Sequence, residues 1–253
     1  MKSAMMKYIL LLCPILLSTF VFGQSTGKVI YQEKFDLYRN LPPEREHMKD
    51  MIPHYNTAFF ELVYNGEESI YQPQKEADET SVSSTSGGQQ MTMRFGRDNR
   101  VVYKNNATAE MIDSRDFMQK QFLIKGPPTV RKWKIGKNQK EILGYNCLEA
   151  SFQADSVTNI KAWFTPQLAI SNGPSDFQGL PGIILEIDIN DGERMTIASD
   201  IKLDSVDTSM IIAPTKGKEV TSEEFTKIRE EKMKEMQMQN GGAHGNMIIT
   251  RRN

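Results

Sequence analysis

Between Gly173 and Glu186 the chain reads G-P-S-D-F-Q-G-L-P-G-I-I-L-E. Gly173, Pro174, Gly179, Pro181 and Gly182 crowd together there, and an apolar run follows them. Glycine reaches backbone angles closed to other residues, whereas proline fixes φ and removes an N–H donor. The segment therefore predicts a rigid corner that delivers the chain into a strand. It brings no histidine and no cluster of metal ligands, so it constrains architecture more than chemistry.

The strand after the corner opens the clearest hairpin. Ile183, Leu185, Ile187 and Ile189 share one face, Glu186, Asp188 and Asn190 the other, and Asp191-Gly192 makes the turn before Met195, Ile197, Ile201 and Leu203. That alternation predicts antiparallel sheet with one buried face and one solvated face. A second hairpin runs through Ala58, Phe60, Leu62 and Tyr64, turns at Asn65-Gly66 and returns through Ile70 and Tyr71. Asn-Gly suits a type I′ turn. Further strands are expected at 29–37, 91–95, 101–104, 117–124, 133–135, 142–150 around Gly144, and 160–164, a meander that suits a sheet or part-barrel.

Gln74 to Gln90 is rich in Glu, Ser, Thr and Gly and reads as a solvated loop. Leu41 to Pro53 has room for one short helical turn. One helix is expected near the C-terminus. Thr221 with Glu224 forms a capping box, and Val220 with Phe225 a hydrophobic staple. Its thin apolar stripe suits packing at one edge. The expected organisation is a leader over 1–24, a β-rich domain over 25–218, the helix over 219–239 and a flexible tail over 240–253.

The leader follows from Lys2 and Lys7 ahead of the apolar run Tyr8–Phe22, with Gly23 before Gln24, the pattern of a secretory signal peptide. Two of the chain's 31 basic residues leave with it, so 29 face 32 acidic ones for a net charge of −3. That balance points neither to nucleic acid nor to an anionic membrane surface. Cleavage also leaves Cys147 as the one cysteine, so no intramolecular disulfide is available, and its strand position favours an inert core thiol over a reactive or intermolecular one. The expected location is outside the cytoplasm, in the periplasm, secreted or at the cell surface. No transmembrane segment is expected in the mature chain.

Chemistry is sparse. His47, Met48, Met51 and His54 lie close in sequence, and Met236, Met238 and His244 lie near the C-terminus. Thioether and imidazole are soft donors suited to Cu(I), although methionine is also a filler of irregular apolar surface. No cofactor is otherwise expected. Among the acids near the corner, Glu186 and Asp188 read as a solvated sheet face. Asp176 either caps the turn backbone or contacts a ligand. Trp133 and Trp163 are spaced as core residues. No G-x-S-x-G elbow, Walker loop or dinucleotide fingerprint occurs.

Gly179-Leu180-Pro181-Gly182-Ile183-Ile184 resembles the signature of the GLPGLI family, exported proteins common in Bacteroidota. Ile142-Leu143-Gly144-Tyr145-Asn146-Cys147-Leu148-Glu149-Ala150 is similar to the family's I-x-G-Y-x-C-x-x-A strand. Ala162-Trp163-Phe164-Thr165-Pro166 is similar to its W-[FY]-T strand end, and Gly173-Pro174 to its approach to the corner. Ile183 stands where the family usually has leucine. The resemblance implies a bowl-like fold related to the N-terminal domain of a bacterial peptide N-glycanase and, more distantly, to periplasmic lipoprotein carriers. It brings no catalytic residues with it.

The fold expected is thus mainly β, a strongly curved antiparallel sheet or unclosed barrel with one C-terminal helix. The function expected is that of a non-catalytic binding or accessory protein, whose concave face holds a small apolar ligand or a segment of an envelope partner. Cu(I) handling, and hydrolysis of peptides or glycans through Asp176 and a neighbouring acid, stand as alternatives.

Overall fold

Alternating β-branched and aromatic residues suit a pleated surface buried on one side, and the chain uses them in fourteen strands. The computed structural model describes residues 26–39, 41–74, 81–86, 89–94, 99–203 and 205–240. The expected leader, Phe95 and the tail beyond residue 240 lie outside them. The strands are β1 (Gly27–Asp36), β2 (Tyr55–Tyr64), β3 (Glu68–Pro73), β4 (Ser81–Ser86), β5 (Gln89–Arg94), β6 (Val101–Asn105) and β7 (Glu110–Phe117). They continue as β8 (Lys120–Gly126), β9 (Lys134–Ile142), β10 (Tyr145–Gln153), β11 (Asn159–Thr165), β12 (Ile183–Ile189), β13 (Arg194–Lys202) and β14 (Lys218–Val220). A short 3-10 helix, Pro43–Asp50, links β1 to β2, and α1 (Ser222–Asn240) follows β14.

Twelve strands form one unclosed sheet in the order β14-β8-β7-β6-β3-β2-β1-β13-β12-β11-β10-β9. Neighbours pair antiparallel except β14, which lies parallel to β8. The sheet is strongly curved. β6 and β12 stand five places apart, or about 24 Å in a flat sheet. Yet Lys104 of β6 reaches the carbonyl of Gly173 at 3.1 Å, and the neighbouring Asn172 carbonyl accepts from Ile184 N of β12 at 2.9 Å. A lysine side chain spans only a fraction of that flat separation, so the sheet must curl.

The inner face carries one continuous core from β7 round to β10. It includes Val29, Tyr31, Leu62, Tyr71, Val102, Met111, Ile142, Cys147, Ile183 and Leu185. Val29, Tyr31, Leu62, Tyr71 and Val102 show no solvent exposure, so this face is packed with side chains at those positions. A second cluster, of Ala150, Ala162, Phe164, Leu180 and Ile184, packs with Trp133, Phe152 and Phe177. A third patch, of Tyr103, Ile112 and Leu123, packs with Ile211 and Ala213.

The helix keeps its expected cap. Thr221 N donates to Glu224 Oε2 at 2.8 Å and Glu224 N to Thr221 Oγ1 at 3.2 Å. Val220 and Phe225 are buried with Phe122 and Ile124, so the staple holds the first turn against β8.

Several sequence expectations need correction. The strand expected over 117–124 is split by Met118 and Gln119, whose φ values of 48° and 62° make a type I′ turn between β7 and β8. The strand expected over 142–150 is likewise two strands, turned at Leu143 and Gly144 with φ values of 51° and 81°. The Asn65-Gly66 turn differs too. Only Gly66 carries a positive φ there, 92°, and the Asn65 N to Glu68 O bond makes it the first central residue, which is type II′. The stretch read as a loop over 74–90 contains β4 and part of β5, which pair with each other in a separate two-stranded sheet. Its Val and Thr residues support strand despite the polar setting.

The acidic face expected on β12 is not solvated at Glu186. Ile184 pairs with Phe164 and Glu186 with Trp163, so Leu185 is an extra, bulged residue. The bulge disturbs the strict alternation, and Glu186 is only 8% exposed.

Candidate functional site

The corner is fixed by close backbone approach. Gly182 has φ of 152°. A Cβ there would lie 2.6 Å from the carbonyl carbon of Thr165 and closer still to its oxygen. The strand end Thr165-Pro166 therefore passes directly over the glycine, and no side chain fits between them. Gly173 is tight for another reason, since its Cβ would stand 2.8 Å from Ile184 Cβ. Phe177 N closes a turn on Pro174 O at 3.0 Å, Gly182 N bonds Leu180 O at 2.8 Å, and Ile183 N bonds Leu168 O at 3.1 Å. Leu180 and Ile183 are buried. Pro181 and Gly179 are exposed at the bend.

Asp176 leaves this corner and enters a chain of alternating charges. Arg131 donates Nη2 to its Oδ2 at 2.6 Å and Nη1 to its main-chain oxygen at 2.8 Å. Arg100 Nη2 lies 3.7 Å from Oδ1, and the same Nε–Nη2 edge donates to Asp113, with Nε–Oδ1 at 3.2 Å and Nη2–Oδ2 at 2.8 Å. Arg115 grips the same Asp113 carboxylate. The order is thus Arg115, Asp113, Arg100, Asp176, Arg131. The two outer guanidiniums lie over aromatic rings, Arg131 over Phe177 at 4.4 Å and Arg115 over Phe225 at 5.5 Å.

Burial alone disfavours charge on Asp176, but Arg131 and Arg100 outweigh it and hold the carboxyl well below the usual carboxylate range. Asp113 behaves the same way between Arg100 and Arg115. Burial opposes Arg100's charge too, yet Asp113 and Asp176 hold its pKa above the ordinary value. Asp176 accordingly acts as an ionic tether between the corner and the connection after β8, in addition to accepting from Ser175 Oγ at 3.1 Å.

Lys104 sits beside this chain with no exposed surface. Its ammonium donates to Gly173 O. Burial is the main cause that pulls its pKa down to about 7, with Asp176 opposing and Arg131 and Arg100 adding to the fall.

The other signature residues gather round Cys147. Lys140 Nζ contacts both oxygens of Glu186 at 2.7 Å and lies 4.5 Å from the centre of the Trp163 ring. Cys147 is fully buried in the inner core, and burial pushes its thiol up to about 11. A thiol of that kind is a poor nucleophile at neutral pH. Gly144 serves the β9–β10 turn, and Tyr145 packs against the inner core.

The proposed soft-metal residues are distributed. His47 and Met48 belong to the 3-10 helix and Met51 ends it. His54 is stacked between Tyr38 and Tyr55, with ring centres 4.5 and 4.1 Å away, and its Nε2 lies 3.2 Å from Asp36 Oδ1. Met236 and Met238 stand on α1, and His244 lies outside the described residues. Among the described residues no group of three or more His, Cys, Asp or Glu is poised to hold a metal ion, and no helix is long and apolar enough to cross a membrane.

Sequence reasoning singled out Asp176 but missed Arg100, Lys104, Asp113, Arg115 and Arg131. A signal existed. Lys104 follows Val102 by two, and Asp113 follows Met111 by two, so both acquire the inward phase of a buried neighbour.

Comparison with known proteins adds the following. Residues 151–186 match a family model described as "Protein of unknown function (Porph_ging)", a span from within β10 through the corner into β12. No curated protein matches. Among solved structures the chain is similar to PNGF-II in its P21 and C2 crystal forms, with TM-scores of 0.53 and 0.52 at 16% identity. The alignments cover 81% and 80% of this chain but 33% and 32% of that one, so the chain spans about a third of PNGF-II's length. At that identity the similarity is one of fold.

Proposed function

We propose that the chain is an exported, non-catalytic binding or accessory module of the GLPGLI type, acting outside the cytoplasm by presenting a surface to a segment of an envelope partner. The observation that carries this reading is the fate of Asp176. A hydrolase of the kind weighed from the sequence needs that acid free to exchange a proton near neutral pH. Here it is spent between Arg131 and Arg100 and holds its charge far below that range. The inner face is filled at its centre, which favours a partner segment on an outer surface over an apolar ligand inside the sheet. Similarity in fold to about a third of a longer chain suits a module that serves another activity.

Native mass spectrometry of the protein isolated from its own cell envelope tests the proposal. A stoichiometric polypeptide partner is expected. A bare protein that cleaves peptide or glycan substrates, and loses that activity in Asp176→Asn, would refute it.

A further inference from the structure

From Lys125 to Lys140 the chain carries six basic residues and no acidic one, although the sequence as a whole is near neutral. Three of the six are committed, Lys125 to Glu219, Arg131 to Asp176 and Lys140 to Glu186. Lys132, Lys134 and Lys137 are exposed and have no ion-pair partner among the described residues. Glu149, the acid on β10 nearest Gly136 of β9, accepts instead from Asn138 Nδ2 at 2.6 Å.

Lysines on an edge strand commonly serve to repel other strands, and β9 is one of the two terminal strands of the sheet. That role is already met by a bulge. Gln139 pairs with Leu148 and Ile135 with Ala150, so Gly136, Lys137 and Asn138 stand opposite Glu149 alone, and the ladder edge is broken. Nor does repulsion account for the apolar residues beside the lysines. Val130 is 90% exposed and Ile135 56%. Val130 lines a groove of about 390 Å³ whose walls also include Pro127, Pro128 and Gly179. Gln178 also lines it, and its Oε1 is buried without a partner, an amide that gains by turning toward a main-chain N–H.

The N-terminal end of this patch is anchored. Arg131 is tied twice to Asp176, and Trp133 Nε1 donates to Gln178 O at 3.0 Å. With Arg131 and Trp133 pinned to the corner, the main chain at Lys132 between them is held in place, which lowers the ordering cost of binding there.

We propose that the β8–β9 connection and the first half of β9 form a docking surface for an acidic, extended segment of another polypeptide. The partner's carboxylates face Lys132, Lys134 and Lys137, and its apolar side chains rest on Val130 and the two prolines. This rests on the reading of the chain as a binding module and names where and what it binds.

The test titrates the full exported chain with a fluorescent peptide of alternating Glu and Val, and with its Lys-for-Glu counterpart, at low and high salt. The acidic peptide is expected to bind and the basic one not to. Binding should weaken with salt and fall at least tenfold in the triple variant Lys132→Glu, Lys134→Glu, Lys137→Glu. Val130→Asp should weaken it further, and far-UV circular dichroism should show both variants folded. Equal affinity in the triple variant, or equal binding of both peptides, overturns the proposal. So does a patch that binds phosphatidylglycerol vesicles and ignores the acidic peptide. If these fail while native mass spectrometry still finds a stoichiometric partner, the docking surface falls and the binding-module reading stands.

Discussion

Lys104→Met isolates the energetic cost of the buried amine. In the unfolded chain this lysine titrates near its ordinary value of 10.5, but in the folded protein it titrates at about 7. Below the folded value both states are charged, and the native state carries the full cost of a buried ammonium beside two guanidiniums. Between the two values the unfolded state binds the extra proton, so stability must rise with pH there. Each pH unit contributes about 1.4 kcal/mol, so the gain from pH 7 to about 9.5 approaches 3 kcal/mol. The window should stop short of pH 10. Tyr31 and Tyr71 are raised well above 10, mainly by burial, and they lower stability once tyrosines in the unfolded chain ionise. Guanidinium midpoints measured across this window should climb for the parent chain and lose that climb in Lys104→Met, whose side chain is apolar and of similar length, leaving only the small fall above about pH 8.5 that the raised Cys147 thiol gives both proteins. Parallel slopes in the two proteins would show that Lys104 is solvated, and with it that the sheet does not curl tightly enough to enclose β6 against Gly173.

Four further outcomes follow from the same geometry. Asp176→Asn leaves Arg131 and Arg100 without their shared carboxylate and should lower stability by about 3 kcal/mol, with a double-mutant cycle against Arg131→Met showing strong coupling; additive losses would refute the tether. Gly182→Ala drives a Cβ into the Thr165 carbonyl and should abolish soluble, folded protein, whereas Gly192→Ala, with open space around it at φ of 94°, should cost only about 1–2 kcal/mol of strain; similar thermal melts for the two would break the argument. Cys147 should resist a thiol reagent such as DTNB until the protein unfolds, and Cys147→Ser should cost about 1–3 kcal/mol by burying a hydroxyl. Thr221→Ala removes one half of the capping box and should cost about 1 kcal/mol, seen as faster amide exchange confined to the first turn of α1.

The parts of this molecule that were legible from sequence are those where local chemistry and tertiary structure agree. The corner was legible because only glycine tolerates a carbonyl where the Gly182 side chain would stand. The capping box was legible because Thr221 and Glu224 satisfy each other's main-chain donors within one turn. The turns at Met118-Gln119 and Leu143-Gly144 were not. Their positive φ values fall partly on residues that do not favour them, so tertiary pairing of β7 with β8 and β9 with β10 imposes a backbone that the local sequence disfavours. The charge network was hidden for a different reason. Asp113 and Asp176 lie 63 positions apart in the sequence, and only a curled sheet places Arg100 between them. Once curvature is given, the rest is compelled. A half-buried Asp176 needs a cation, and Arg131 supplies it by fixing the very segment whose remaining basic residues face outward. The corner and the basic patch are therefore one mechanical unit: Asp176→Asn should loosen the β8–β9 connection and weaken acidic-peptide binding together, even though Asp176 lies outside the docking surface. A variant that lost the tether yet bound the peptide unchanged would show that the patch holds its shape without the corner.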